Sequence, residues 1–184
     1  MGITLLDVLI LLALVGGAAW GFYRGLFRQA ATTLVIYIST VVSTLTYRGL
    51  SKLISGAAKP ASATTDMLSF IIVMAVFNIA LAIMVNDLLK DFEPKKLGMW
   101  VNLGGIVFGI LNAVIWSAVL LIIVRYAVGG GQWIGYEGVQ QALRRQLSTS
   151  VMATIFRPLM QVIIAAIRPW LFGRSLPPLL MTAF

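Results

Sequence analysis

The sequence predicts an all-α fold, a polytopic membrane protein with four transmembrane helices followed by a C-terminal amphipathic interfacial helix. Three observations carry that expectation. Hydrophobic residues make up 60% of the chain and charged ones 11%, against roughly 45–50% and 25% in a soluble domain. The apolar residues gather into four runs, each close to the ~20 residues that cross a bilayer. Charges fall mainly between those runs. A chain of 184 residues has too little interior to hide so much apolar surface, so lipid must cover the rest.

The first run extends from Ile3 to about Tyr23 and the second from Leu26 to about Tyr47. Arg24-Gly25 leaves room only for a tight turn, so the two helices should form an antiparallel hairpin. Arg48 to Asp66 is polar, contains Ala57-Ala58-Lys59-Pro60-Ala61-Ser62, and reads as an exposed loop. The third run is Met67 to about Leu89. Lys90-Asp91-Phe92-Glu93-Pro94-Lys95-Lys96 closes it, because Pro94 cannot continue a helix. The fourth runs from about Trp100 to Tyr126 and ends in Gly129-Gly130-Gly131, which disfavour further helix. The chain thus divides into a four-helix transmembrane domain, residues 1–128, and a C-terminal part, 129–184, of Gly-rich linker, amphipathic helix and irregular tail.

Within that tail, Val151 to Phe172 is mostly apolar but contains Arg157, Pro158, Gln161, Arg168 and Pro169. At helical spacing Arg157, Gln161 and Arg168 fall within about 40° of one another, opposite Phe156, Leu159, Val162 and Ile163. Such a pattern suits a helix lying in the interface better than a fifth span, since two arginines inside a lipid-facing span would cost about 2.5–3.5 kcal/mol each near its centre. Gly173 to Phe184, with Pro177-Pro178, reads as irregular.

Net charge is +8 and the isoelectric point about 10.3. The basic residues flank apolar runs, so the polyanion they meet is expected to be an anionic lipid surface and not nucleic acid. Cysteine and histidine are both absent. Thiolate and imidazole metal sites, haem held through either residue, Cys nucleophiles and His bases are therefore excluded. No cofactor is expected, and no nucleophile has a plausible base beside it.

Small residues recur every fourth position as Gly17, Gly21 and Gly25 in the first helix and as Gly105, Gly109, Ala113 and Ser117 in the fourth. That spacing marks one helix face on which backbones approach closely, either within the chain or against a second copy or another membrane protein. The second helix carries Thr32, Thr33, Ser39, Thr40, Ser43, Thr44 and Thr46, and the later helices carry Asn78, Asn86, Asn102 and Asn112. Interhelical hydrogen bonds are the expected use; a polar pore lining is the alternative. Asp7 and Asp87 are the acids within or at the edge of apolar runs, functional candidates by default. Asp7 sits in a first turn, favoured by the helix dipole and within reach of interfacial water. In an antiparallel bundle the two lie on opposite faces. Arg24 and Arg28, one turn apart, read with Arg157 and Arg168 as headgroup anchors.

The chain resembles the bacterial colicin V production (CvpA) family. The resemblance rests on Leu6-Asp7-Val8, on Gly21-Phe22-Tyr23-Arg24-Gly25-Leu26-Phe27-Arg28, and on Leu103-Gly104-Gly105-Ile106-Val107-Phe108-Gly109, covering roughly residues 3–126. Family members usually carry Arg or Lys near Asn102 and end the last motif in Gly-x-x-(Arg/Lys)-Gly, where this chain has Gly109-Ile110-Leu111-Asn112-Ala113. The resemblance implies a protein of the bacterial cytoplasmic membrane connected with toxin production or export and envelope homeostasis. Weight on the short loops, and relatives that anchor an extracytoplasmic protease, point to both termini outside. A non-enzymatic, partner-binding role is the expectation, with an accessory subunit of a respiratory or photosynthetic complex, or a small channel or transporter, as alternatives.

Overall fold

A computed structural model describes residues 3–56, 62–90, 98–129, 137–171 and 177–181. Every element among them is helical. α1 (Leu5–Ser55) opens on a capping box: the Asp7 amide donates to Thr4 Oγ1 at 3.3 Å while the Thr4 amide donates to Asp7 Oδ2 at 2.9 Å. α2 (Ala63–Leu88) is capped by Ser62, whose hydroxyl accepts from the Thr65 amide at 3.1 Å. α3 (Gly98–Gly129) follows. The helices overrun the expected limits, so Arg48 to Ser55 and Ala63 to Asp66, expected as loop, are helical. The loop residues 57–61, the closing segment 91–97 with Lys95 and Lys96, and Gly130-Gly131 lie outside the described residues.

α1 is two helical arms that meet at Gly25, where the backbone is not helical. Gly25 sits at φ 74°, ψ 170°, a region essentially reserved for glycine. Before it, Gly17 lies on Gly109 and Ala113, and Gly21 on Gly105; the chain runs antiparallel to α3. After it, Leu26 meets Gly104, Thr33 reaches Asn112, and Ser51 shares Asp66 with Tyr126; the chain runs parallel to α3. The helix therefore folds back at Gly25 into an N-terminal arm (5–24) and a C-terminal arm (26–55). Arg24 and Arg28 consequently stand on different arms, and not one turn apart on a single helix.

α3 is the axis of the bundle. Its most apolar window is 44% buried, against 17% for those of α1 and α2. α1 packs chiefly on α3 and next on α2, while α2 and α3 touch little. The core between them holds Ile36, Tyr47, Phe70, Met74, Ala118 and Ile122, with Tyr47 and Phe70 edge to face at 6.1 Å.

The C-terminal part differs from expectation in three ways. A further amphipathic helix, α4 (Glu137–Thr149), occupies what reads in sequence as linker. The segment after it is broken into α5 (Val151–Ile155), α6 (Arg157–Ile167) and a 3₁₀ turn, Arg168–Leu171. The breaks fall beside Pro158 and Pro169, each lacking an N–H for the helix ladder. One turn of helix, α7 (Pro178–Met181), then buries Leu179 and Leu180 where the sequence reads as irregular. Phe156, Met160, Ile164 and Ile167 form the buried stripe of the α5–α6 segment, a four-and-three spacing. Val162, expected on that face, is 65% exposed.

Nor does α6 lie across the end of the bundle. Ser150 and Met152 meet Asp7 near the start of α1, whereas Tyr37, midway along the C-terminal arm, donates from its hydroxyl to the Ala166 carbonyl at 2.8 Å. α6 therefore runs along the bundle toward its middle.

Candidate functional site

Four contacts between helices stand out, three of them built on residues singled out in the sequence. The first is the glycine seam. A methyl group at Gly17 would lie 2.7 Å from both the Gly109 carbonyl oxygen and Ala113 Cβ. One at Gly21 would collide with the Gly105 carbonyl, and one at Gly109 with that of Gly17. The two small-residue faces thus pack on each other within one chain. Gly25 ends the seam against Val101 and beside Asn102.

The second contact lies in the middle of the helices. Asn112, 6% exposed, donates from Nδ2 to Gln29 Oε1 at 2.8 Å and to the Gln29 carbonyl at 3.2 Å. Thr33 Oγ1 donates to Asn112 Oδ1 at 2.7 Å. This network joins α3 to the C-terminal arm alongside the glycine seam. Asn112→Ala should cost about 1 kcal/mol, two or three membrane hydrogen bonds at about 0.6 each less what Gln29 recovers. Thermal unfolding in detergent measures it, and an unchanged midpoint would show that the network holds nothing.

Other polar residues behave differently from expectation. Thr32, Thr40, Ser43, Thr44 and Thr46 each donate to the carbonyl four residues back in their own helix, an acceptor always within reach. Of the four asparagines, Asn112 alone bonds across helices among the described residues. Asn86 is exposed, and Asn78 Nδ2 is buried without a partner.

The third contact was not singled out in sequence. Asp66, which reads there as the end of a loop, is 9% exposed. It accepts from the Ser51 hydroxyl and, at 2.8 Å, from the Tyr126 hydroxyl. One carboxylate so ties α2 to the C-terminal arm and to α3. Tyr126→Phe removes one bond to a buried acid and should destabilise by about 1.5–3 kcal/mol. The same unfolding assay reads it, and a loss under about 0.5 kcal/mol, the scale of a surface substitution, would refute the tie.

The fourth is Asp7, 3% exposed and therefore not in contact with interfacial water as expected. Its Oδ2 accepts from Thr4; its Oδ1 accepts from the Ser150 hydroxyl at 2.6 Å and the Met152 amide at 2.8 Å. Asp87 differs in kind: it is exposed, pairs with Lys90 at 2.9 Å, and sits at the far end of α2 from Asp66. Arg24 stacks over Trp20 at 5.1 Å, while Arg28, Arg157 and Arg168 are exposed.

Gln29, Asp66, Tyr126 and Ser150 are what sequence reasoning missed. A signal existed for Gln29, which shares a face with Thr33 at a spacing of four. Asp66 gave none, because its burial depends on helices closing over both sides of a loop. Chemically, these groups are acceptors and donors matched to one another across helix contacts.

Three helices long and apolar enough to cross a membrane, with polar groups turned inward, define a multi-pass helical membrane protein. The family model for Colicin V production protein matches residues 6–166, and the chain belongs to that family. Among curated proteins and solved structures, none matches it.

Proposed function

We propose that this is a non-enzymatic, four-span protein of the bacterial cytoplasmic membrane that supports toxin production or secretion, or envelope homeostasis, by binding other membrane proteins. The reversal at Gly25 is the observation that carries the span count. Unbent, the 51 residues of α1 would reach about 76 Å at 1.5 Å each, far beyond a hydrocarbon core of about 30 Å. Folded back, each arm is of membrane length, and α2 and α3 complete four.

Family membership supports the physiological setting. The inward pairing of Asp7 and Asp66 with hydroxyls and amides supports a structural use of the acids over a catalytic one. With the glycine faces occupied by each other, partner contacts fall instead on the exposed apolar faces of α2 and the N-terminal arm, such as Ile79, Ile83 and Leu12. A hydroxyl-lined pore has less support, since Thr32, Thr40, Ser43, Thr44 and Thr46 are turned onto their own helix.

The ends of the bundle differ in charge. Among the described residues, Arg48, Lys52, Arg125, Arg144 and Arg145 collect where α1 begins and ends, against Arg24, Arg28 and Lys90 at the other end; Lys59, Lys95 and Lys96 lie outside them. By the positive-inside rule the first end faces the cytoplasm, which reverses the sequence-based lean to outside termini. A C-terminal reporter active only in the cytoplasm should give strong signal; silence in an inserted protein would reverse the assignment. Copurification in mild detergent tests the function: specific membrane-protein partners are expected. A protein that comes through alone, or one that conducts ions in proteoliposomes, would overturn the reading, and a stoichiometric respiratory assembly would favour an accessory subunit instead.

A further inference from the structure

α6 carries cations to an unusual depth. Tyr37, which caps the Ala166 carbonyl and accepts from the Trp170 indole at 2.7 Å, stands 12 residues beyond Gly25, or about 18 Å, and farther still from Ser55. The segment passes from the level of Asp7, at Ser150, to the middle of the bundle, at Trp170. The later turn α7 packs back on α3, with the Leu179 backbone beside the Tyr47 hydroxyl, ten residues nearer the starting end. If α1 to α3 cross the bilayer, the described parts of this path, 150–171 and 177–181, are those of a re-entrant segment. Its backbone obeys the rule that irregular chain at membrane depth needs protein partners: the Tyr37 hydroxyl takes up a terminal carbonyl of α6, and Arg168 at its C-cap complements the helix dipole.

Arg157, Gln161 and Arg168 share one exposed flank of this segment. The apolar groove of about 220 Å³, lined by Tyr37, Leu111, Leu159 and Ala166, lies on the opposite flank. Arg125 of α3, bonded to the Ala153 carbonyl at 3.4 Å, stands near enough to Arg157 for the two guanidiniums to repel. Among the described residues the one ion pair is Lys90–Asp87, so no described acid neutralises this row.

We propose that the Arg125–Arg157–Gln161–Arg168 flank is a binding track for the phosphate headgroup of an anionic phospholipid, held below the level of the surrounding headgroups. Guanidinium forks suit phosphate, and the amide of Gln161, on the same flank between the two arginines, supplies a further donor. A cation row descending into hydrocarbon is tolerable where headgroups and water follow it in, a bilayer defect that is known to lower the cost of arginine in membranes.

The inference rests on reading α1 to α3 as spans, and the experiment keeps the two apart. The full chain is reconstituted into phosphatidylcholine vesicles with and without phosphatidylglycerol, tested for carbonate resistance, then extracted gently and examined by native mass spectrometry for retained lipid. Phosphatidylglycerol should be retained over phosphatidylcholine, and the double variant Arg157→Gln with Arg168→Gln should lose about tenfold or more of that retention, given about 1 kcal/mol per basic residue. Arg24→Gln with Arg28→Gln, an equal loss of charge at the other end, should keep it. Gln161→Glu should lower retention without removing any arginine. Equal loss in both double variants, or none in either, overturns the track while carbonate resistance leaves the spans standing. Protein extracted by carbonate overturns both.

Discussion

Gly21→Leu should destabilise the protein by about 3 kcal/mol or more, the upper end of overpacking costs. The atoms a side chain would meet there are the Gly105 carbonyl and Gly109 Cα. They are backbone, and backbone in a packed helix pair does not swing aside. The arm would have to separate from α3 along its length, opening the contacts of Gly17 and Gly25 with it. Gly49→Leu is the control: nothing lies within 4 Å of its added Cβ, so helix propensity should make it neutral or stabilising by up to about 1 kcal/mol. Gly104→Ala should be mild because its near neighbour is the flexible Leu26 side chain. Unfolding in detergent, read by circular dichroism, ranks the three. If Gly21→Leu and Gly49→Leu melt alike, the seam is not a close contact.

Asp7→Ala is the second large effect expected. It strips acceptors from the Thr4 amide and hydroxyl, the Ser150 hydroxyl and the Met152 amide at once, and bonds to a charged group are worth about 1.5–3 kcal/mol each. A net loss of roughly 3 kcal/mol should follow, concentrated in the tail. Limited proteolysis after residue 136 should speed up well before the helices melt. Ser150→Ala should reproduce a part of that change, since the Met152 amide still holds Oδ1. Tail protection unaltered in Asp7→Ala would mean that the C-terminal segment is held by its apolar stripe alone.

The helical class, the apolar runs and the turn at Gly25 were readable because each is a local signal: composition, run length, and a glycine between two arms. The glycine faces were readable by spacing, though spacing does not say whether the facing surface belongs to the same chain. The polar contacts divide by range. Asn112 could be named as a hydrogen bonder, but its partner Gln29 is 83 positions away and follows from the fold-back of α1. Thr33 met the expectation by reaching Asn112, whereas Thr32, Thr40, Ser43, Thr44 and Thr46 misled because their own helix offers each an acceptor four residues behind. Asp66 and the tail were the least readable. Both take their places from surfaces built by α1 and α3 together, so neither a hydropathy run nor a helical wheel contains the information. The same wheel that correctly grouped Arg157, Gln161 and Arg168 put Val162 on the wrong side, because the break at Phe156 and the shape of the bundle choose the face.

The division of labour within the Asp7 carboxylate sets an order of assembly. Oδ2 is satisfied by Thr4 three residues away as soon as the first turn forms, whereas Oδ1 waits for Ser150 and Met152. At about 5–20 residues per second of synthesis, roughly 7–30 seconds separate the two events. Through that interval the first arm is inserted with half of an acid unmatched, and the arrival of the C-terminal segment closes it. A chain lacking residue 150 onward would keep the cap on its first helix but leave Asp7 Oδ1 without the two donors it has in the folded protein.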